Sequence, residues 1–345
     1  MFAARPPQPW KATVKTQEIS GTGPRRATGP SLADLLQRYA LFLLLVGEVI
    51  LFLVLIPMQF GSPENLQSIA VAQSVVGILM LGLLIPLISG EFDVSLAGVF
   101  TTAMLVAAIA IDRLGWPVWI ALVVAVAISA AIGAMNAFVV IITRADSLVV
   151  TLGVLTILRG VDEALTQGTT ITVRGDVGQD LRNAVDFAPL GIPLPVLLLL
   201  IIAGIIWYLT ENTPLGRYLY AIGGSLQAAR LAGVPVRKLR ILAFTAGGAL
   251  AGLAGVLQLA KSSTATASFG AGYLFPALAA AFLGAVAFRI GSFNVRGAVT
   301  ALFLLAVGVT GIRMLGVPLW IDGVFNGAAL ILAVAIVRGI RKADS

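Results

Sequence analysis

The side chains able to do chemistry in this chain are few, and most stand in apolar company. Glu48, Gln73, Asn136, Arg159, Asp162, Glu163 and Asn326 interrupt long runs of Leu, Ile, Val, Ala and Gly. An ionisable group at bilayer depth is costly unless it faces a bundle interior or a wet cavity, so such residues mark internal pairing or a solute pathway. Arg159 and Asp162 are three apart, on one helical face, and are expected to pair. Glu48 is expected to find a structural partner. Asp93 stands where a loop runs into an apolar segment, with Ser95 two residues on, a placement suited to capping the helix that follows. Gln73, Asp93, Asn136, Thr151 and Asn326 are the candidates for lining a translocation pathway. Lys261 beside Ser262 and Ser263 has the composition of a nucleophile and base, and its place at the end of an apolar run points to solvation.

Metal and redox chemistry find no residues here. The chain has no Cys and no His, which removes disulfides, thiolate nucleophiles and the usual zinc, copper and haem ligand sets. No Gly-Lys pair occurs, so the phosphate-binding pattern Gly-x-x-x-x-Gly-Lys-Ser/Thr is missing, and no cofactor is expected on this chain. Proton-coupled carriers place carboxylates or His in mid-span as relays. With no His and few mid-span acids, a carrier working alone is the rival reading, and a membrane enzyme a weaker one.

The elements that position these residues are membrane helices. Of 345 residues, 59% are apolar and 11% charged, against roughly 25% charged in soluble domains, and the mean hydropathy is +0.99. Apolar runs recur at lengths of about 20 residues, enough to cross roughly 30 Å of hydrocarbon as helix. They lack the alternation of a membrane barrel. The expectation is an all-α polytopic membrane protein of about ten transmembrane helices, near 39–58, 66–89, 94–112, 117–142, 147–166, 193–210, 240–260, 275–289, 296–312 and 320–338. Gly248-Ala-Leu-Ala-Gly252 and Gly323-Val-Phe-Asn-Gly327 have the small-x-x-x-small form that permits close helix contact, here assigned to packing within the chain.

Residues 1–38, rich in Pro, Gly, Thr and basic residues, read as a disordered tail, and the first apolar run begins too far along to be an ordinary cleaved signal. With that tail inside, 17 of the 23 Lys and Arg fall on the cytosolic side and five on the other, the sense of the positive-inside rule. Both termini are then cytosolic, 167–192 is extracytoplasmic and 211–239 cytosolic. The net charge of +7 is therefore a topology signal, with no nucleic-acid partner implied. The 167–192 loop, polar and mildly acidic, reads equally as a docking surface or a solvated connector.

Within the cytosolic segment, Ser225 is placed to cap a short helix over 226–232, Gly233 to end it in a left-handed turn, and Pro235 to stop it. So short a helix needs a docking partner, and the small Ala228-Ala229 face flanked by Arg230 suits insertion into a groove of another protein.

Several motifs now resemble one family. Gln227-Ala228-Ala229 with Gly233 resembles the Glu-Ala-Ala-x-x-x-Gly coupling motif of ABC importer permeases, with Gln for Glu. Gly216-Arg217 through Gly224 is similar to the ribose and xylose type in particular. Gly90-Glu91-Phe92-Asp93-Val94-Ser95 resembles that family's Gly-Glu-Ile-Asp-Leu-Ser, Asn136 its Gly-x-x-Asn-Gly, and Thr151-Leu152-Gly153-Val154-Leu155-Thr156 its Thr-Leu-Gly-Thr-Leu. Two departures stand out: Leu274-Phe275-Pro276-Ala277-Leu278-Ala279-Ala280 lacks both acids of the family's Glu-Leu-Asp-Ala-Ile-Ala-Ala, and Ala137 follows Asn136 in place of Gly. The resemblance implies a type II-like ABC importer permease bundle over 39–345. It implies a subunit of the bacterial inner membrane, paired with a second copy or a paralogue and embedded in membrane lipid, that moves a sugar or polyol. Separate ATPase subunits would bind ATP and Mg, and a periplasmic protein would deliver the solute. Gly216, Arg217, Gln227, Ala228, Ala229, Arg230 and Gly233 are then the ATPase-coupling residues. Branched-chain amino acids are the second substrate class for such permeases.

Overall fold

A computed structural model describes residues 32–343, and all but two short strands of its regular structure is helical. Helix α1 (Leu32–Leu55) already begins inside the stretch expected as tail, whose residues 1–31 lie outside the described ones. A four-residue α2 (Pro57–Phe60) leads to α3 (Pro63–Ile88). Then come α4 (Leu96–Asp112), α5 (Val118–Thr143) and α6 (Ser147–Thr166). Strand β1 (Ile171–Thr172) and α7 (Gly175–Asp186) precede α8 (Leu194–Asn212), α9 (Pro214–Gly224) and α10 (Leu226–Leu231). The chain closes with α11 (Val236–Ser262), β2 (Thr264–Ala265), α12 (Ala271–Gly284), α13 (Val295–Met314) and α14 (Trp320–Ala343).

Each of the ten expected spans falls on a helix, but the helices are not equivalent. Six segments, in α1, α3, α5, α8, α11 and α13, are long and apolar enough to cross a membrane, while α4, α12 and the apolar part of α14 are shorter. Helix α12 also sits about four residues earlier than expected. Gly284 lies against the backbone of Gly297 and Ala298, and Asn294 Nδ2 donates to the carbonyls of Gly284, Ala287 and Ser292 at 3.0–3.2 Å. These bonds satisfy carbonyls at the end of α12 and terminate it.

Helix α3 is the central post. It is apolar on every face, as buried helices are, and is buried continuously from Ser74 to Ile88. Ser62 accepts from the Asn65 amide at 3.2 Å and Pro63 opens the helix, a favoured start. Helix α11 packs on α3, α4 and α5 together. At its crossing with α5 a side chain on Gly248 would strike the Ser129 carbonyl, one on Gly252 the Ser129 side chain, and one on Gly133 the Phe244 carbonyl. The first glycine pair is therefore packing within the chain. The second is not: Gly323 and Gly327 face open space. Replacing Gly248 by Val is expected to lower the thermal unfolding midpoint and the folded yield in detergent, because overpacking costs roughly 1–3 kcal/mol and here meets backbone. Gly327→Val should leave both unchanged.

The 167–192 segment is more than a solvated connector. Ile171 pairs with Ala265 and Thr172 with Thr264, while Ile171, Val173, Leu181 and Val185 are buried. Arg182 donates to Ser263 Oγ at 2.7 Å, pinning α7 to the end of α11.

Candidate functional site: a buried turn beneath a surface helix

Between α3 and α4 the chain makes a non-helical turn, Gly90 to Ser95, that starts at an exposed glycine and runs into the bundle, where Glu91, Asp93, Val94 and Ser95 are buried. Three helices hold it, and it runs directly into a fourth, α4. The Phe92 amide donates to Ser147 Oγ at 2.9 Å, and Thr151 Oγ1 accepts from the Val94 amide at 3.3 Å and donates to the Phe92 carbonyl at 3.2 Å, so the first turns of α6 grip its backbone. Asp146 caps α6 by accepting from the Leu148 amide at 2.8 Å, which fixes where that grip begins. Asp93 Oδ1 accepts from the Ser95 amide at 3.0 Å and hydroxyl at 2.6 Å, and Asn136 of α5 donates to the same hydroxyl at 2.7 Å. From α11 comes Arg240, whose Nε lies 2.6 Å from Glu91 Oε1, both residues being buried. Asp93, Asn136 and Thr151 are therefore brought together, though as a lock on a turn in the protein interior: each is at most 1% exposed.

The other two pathway candidates are elsewhere. Gln73 and Asn326 line a cavity of about 660 Å³ between α3, α12, α13 and α14, near the ends where α3 begins and α13 finishes. Arg313 and Asp322 stand in its wall, 3.6 Å apart, and Asn326 Nδ2 donates to the Asp322 carbonyl at 2.8 Å. Pro276 lies in its wall where the motif-bearing stretch has lost its acids.

At the other end, the turn meets the surface helices. Gly90 has φ +79°, a conformation that favours glycine, and the position of its missing Cβ is 3.2 Å from Gly223 Cα. Gly223, near the end of α9, itself abuts the Ile88 carbonyl. Helix α9 is further anchored by Tyr220, whose hydroxyl donates to the Phe293 carbonyl at 2.7 Å with the Arg289 guanidinium 4.6 Å from the ring centroid. Burial pushes that hydroxyl above the ordinary phenol range, so it stays a donor. Gly216 makes the sharp α8–α9 corner: a Cβ there would overlap the Thr210 carbonyl. Gly216 is thus buried architecture, whereas Arg217 is exposed.

The short helix forms as α10. Ser225 Oγ accepts from the Ala228 amide at 3.2 Å. Gly233, at φ +78°, donates to the Arg230 carbonyl, and the Val234 amide to that of Ala229, both at 3.0 Å. The expected Ala228-Ala229 face needs correcting. Ala229 is 3% exposed and turned into its own chain, because α10 folds back on α9 and α11. What faces outward is Gln227, Ala228, Arg230 and Leu231, the last 91% exposed.

Two further pairings differ from expectation. Arg159 bonds Glu163 at 3.2 Å on an exposed face, while Asp162 is buried and accepts from Thr102 of α4 at 3.0 Å. Spacings of three and four both bring residues together on a helix, so only packing against α4 decides which acid turns inward. Glu48 has no ion-pair partner among the described residues; it packs where α1 meets Gly308 of α13. Sequence reasoning also missed the Glu91–Arg240 pair. Its only signal was one acid and one base, each beside the end of an apolar run.

Residues 65–334 match the family described as branched-chain amino acid transport system / permease component. The chain belongs to that family. Among its relatives, the ribose import permease protein RbsC of Escherichia coli (strain K12) is 31% identical over 326 residues, covering 94% of this chain and 98% of the relative. The D-allose transport system permease protein AlsC of the same strain is 29% identical over 305 residues, 88% of this chain and 93% of the relative. The autoinducer 2 import system permease protein LsrD of Salmonella paratyphi B is 29% identical over 262 residues, 75% of this chain and 79% of the relative. No solved structure matches it significantly. In this permease the matched region spans the whole lock on the turn, the cavity and α9–α10.

Proposed function

We propose that this permease is the membrane-spanning subunit of an ABC importer that carries a sugar or related polyol inward across a bacterial inner membrane. Two copies, or one copy and a paralogue, form the pathway with both termini in the cytosol, and a periplasmic binding protein delivers the solute. Separate ATPase subunits bind ATP and Mg and dock on α10 through Gln227, Ala228, Arg230 and Leu231, beside Arg217. The observation that carries the reading is the chain of direct contacts from that surface helix inward. Helix α10 leans on α9, Gly223 near the end of α9 rests on the backbone of the turn, and that turn is held by α5, α6 and α11 and runs into α4. A displacement of α10 therefore reaches four helices through close-packed backbone, which transmits movement because it cannot be compressed. ATP binding and solute passage are then reciprocally coupled.

The sugar reading over amino acids rests on the relatives, which include import permeases for ribose and a transport permease for D-allose. Gln73 and Asn326 offer amide donors and acceptors to hydroxyl groups from the cavity wall. Replacing both by Leu is expected to cut uptake by roughly thirtyfold, since each net hydrogen bond is worth about 1 kcal/mol and the two together about 2 kcal/mol. The decisive test is reconstitution with candidate ATPase subunits and binding proteins, with uptake of labelled ribose, allose and leucine measured side by side. Uptake of leucine alone, or uptake of any of them without ATP, would overturn the proposal.

A further inference from the structure

A second concavity lies between α5, α7, α8 and α11, apart from the buried turn and the first cavity. It has a volume of about 410 Å³, and its wall is Leu, Val, Ala and Pro throughout. Val123 and Val126 line it from α5, Val185 from α7, Leu198 from α8, and Leu253 and Leu257 from α11. Val126 stands about 12 Å along α5 from its first residue, at 1.5 Å per residue, so the crevice occupies one leaflet of a core roughly 30 Å thick.

Its rim has a different character. On α5, Trp119 is one turn before Val123 and 70% exposed; tryptophans of this kind settle at headgroup level. On α11, Lys261 is one turn beyond Leu257, on the same helical face, and is exposed. Lys261 has no ion-pair partner among the described residues. An exposed indole and an exposed cation thus stand one helical turn beyond the apolar lining, at the same end of α5 and α11.

We infer that the slot is a binding site for one membrane phospholipid, an acyl chain lying among α5, α8 and α11 and its phosphate meeting Lys261. Water is a poor occupant, because a wall without polar groups offers it no hydrogen bonds. A spanning helix of another subunit fits poorly too. Helix α7 packs on α8 and α11 at the outer end, held there by Arg182 on Ser263, and blocks a rod running along the membrane normal. A flexible chain entering sideways from the leaflet meets no such block. The ammonium adds attraction for the headgroup phosphate, greatest for anionic lipid.

The test uses the full-length chain incorporated into nanodiscs of phosphatidylglycerol and phosphatidylethanolamine, released into mild detergent and weighed by native mass spectrometry. The expected result is one phospholipid retained per chain, enriched in phosphatidylglycerol. Val126→Trp and Ala184→Phe, which fill the slot, should lose it. Lys261→Glu should reduce the phosphatidylglycerol share at least threefold, while Lys261→Arg keeps it. Because Lys261 is exposed, its variants remain informative if a filling variant misfolds, which circular dichroism would reveal. Equal lipid retention in all four variants overturns the inference. So does a lipid-free wild type whose slot is closed by a second copy, seen as a dimer lost in Val126→Trp.

Discussion

Leu231→Asp is expected to detach the ATPase subunits from the permease and to reduce ATP-driven uptake by at least about tenfold, with the protein still folded and inserted. Leu231 is 91% exposed at the end of a six-residue helix, so the free chain loses almost no packing on substitution. A large apolar side chain left so bare gains most when a partner covers it, and fully burying a Leu is worth about 1.5–3 kcal/mol, tenfold or more in affinity. Co-purification of the ATPase with the variant reads the interface, and uptake in vesicles reads coupling. Gly233→Glu should act in the same direction for another reason: φ +78° is strained for any side chain, so α10 would lose its stop. Unchanged uptake in both variants would reduce 213–240 to a connector, and a carrier working alone would become the better reading.

The second large effect concerns the ion pair under the turn. Arg240→Met alone leaves Glu91 buried and unpaired, a loss of roughly 3–5 kcal/mol. The expected result is a steep fall in folded yield and in the thermal midpoint. The double variant Glu91→Leu/Arg240→Met should recover most of that stability, because apolar replacement of a buried pair is often neutral. Uptake separates the two roles. If the pair serves only to stabilise, uptake returns with the fold; the contact chain through Gly90 and Gly223 instead predicts a stable double variant with poor uptake, since the charge pair ties α11 to the turn. A single variant as stable as the wild type would mean the pair is solvated and idle.

How much of this was legible in the residues depends on the kind of force involved. Hydrophobic length is local, so each expected span met a helix, and capping is local, so Ser225 and Gly233 bound α10 as their types dictate. The order of the motifs was likewise enough to mark the family. By contrast, the sequence grouped Asp93, Asn136 and Thr151 with Gln73 and Asn326, because all are polar residues in or beside apolar runs. Tertiary packing divides them between a lock on a turn and the wall of a cavity. The same limit explains Ala229, which small size marks as an interface residue and which the fold-back of α10 turns inward. It explains Arg159 as well: helical spacing allows both Asp162 and Glu163, and the hydroxyl of Thr102, 60 residues away, claims the first. Gly248 and Gly327 carry the same local signal, yet one faces α5 and the other faces nothing. What the chain determines by itself is therefore the set of helices and the caps that bound the shortest of them, since these follow from interactions within a few residues; the early end of α12 already needs Asn294 and the backbone of α13. Which polar side chain pairs, which glycine is pressed against a neighbour and which face stays free for a partner are settled only when distant helices meet, because those energies belong to contacts that no local stretch contains.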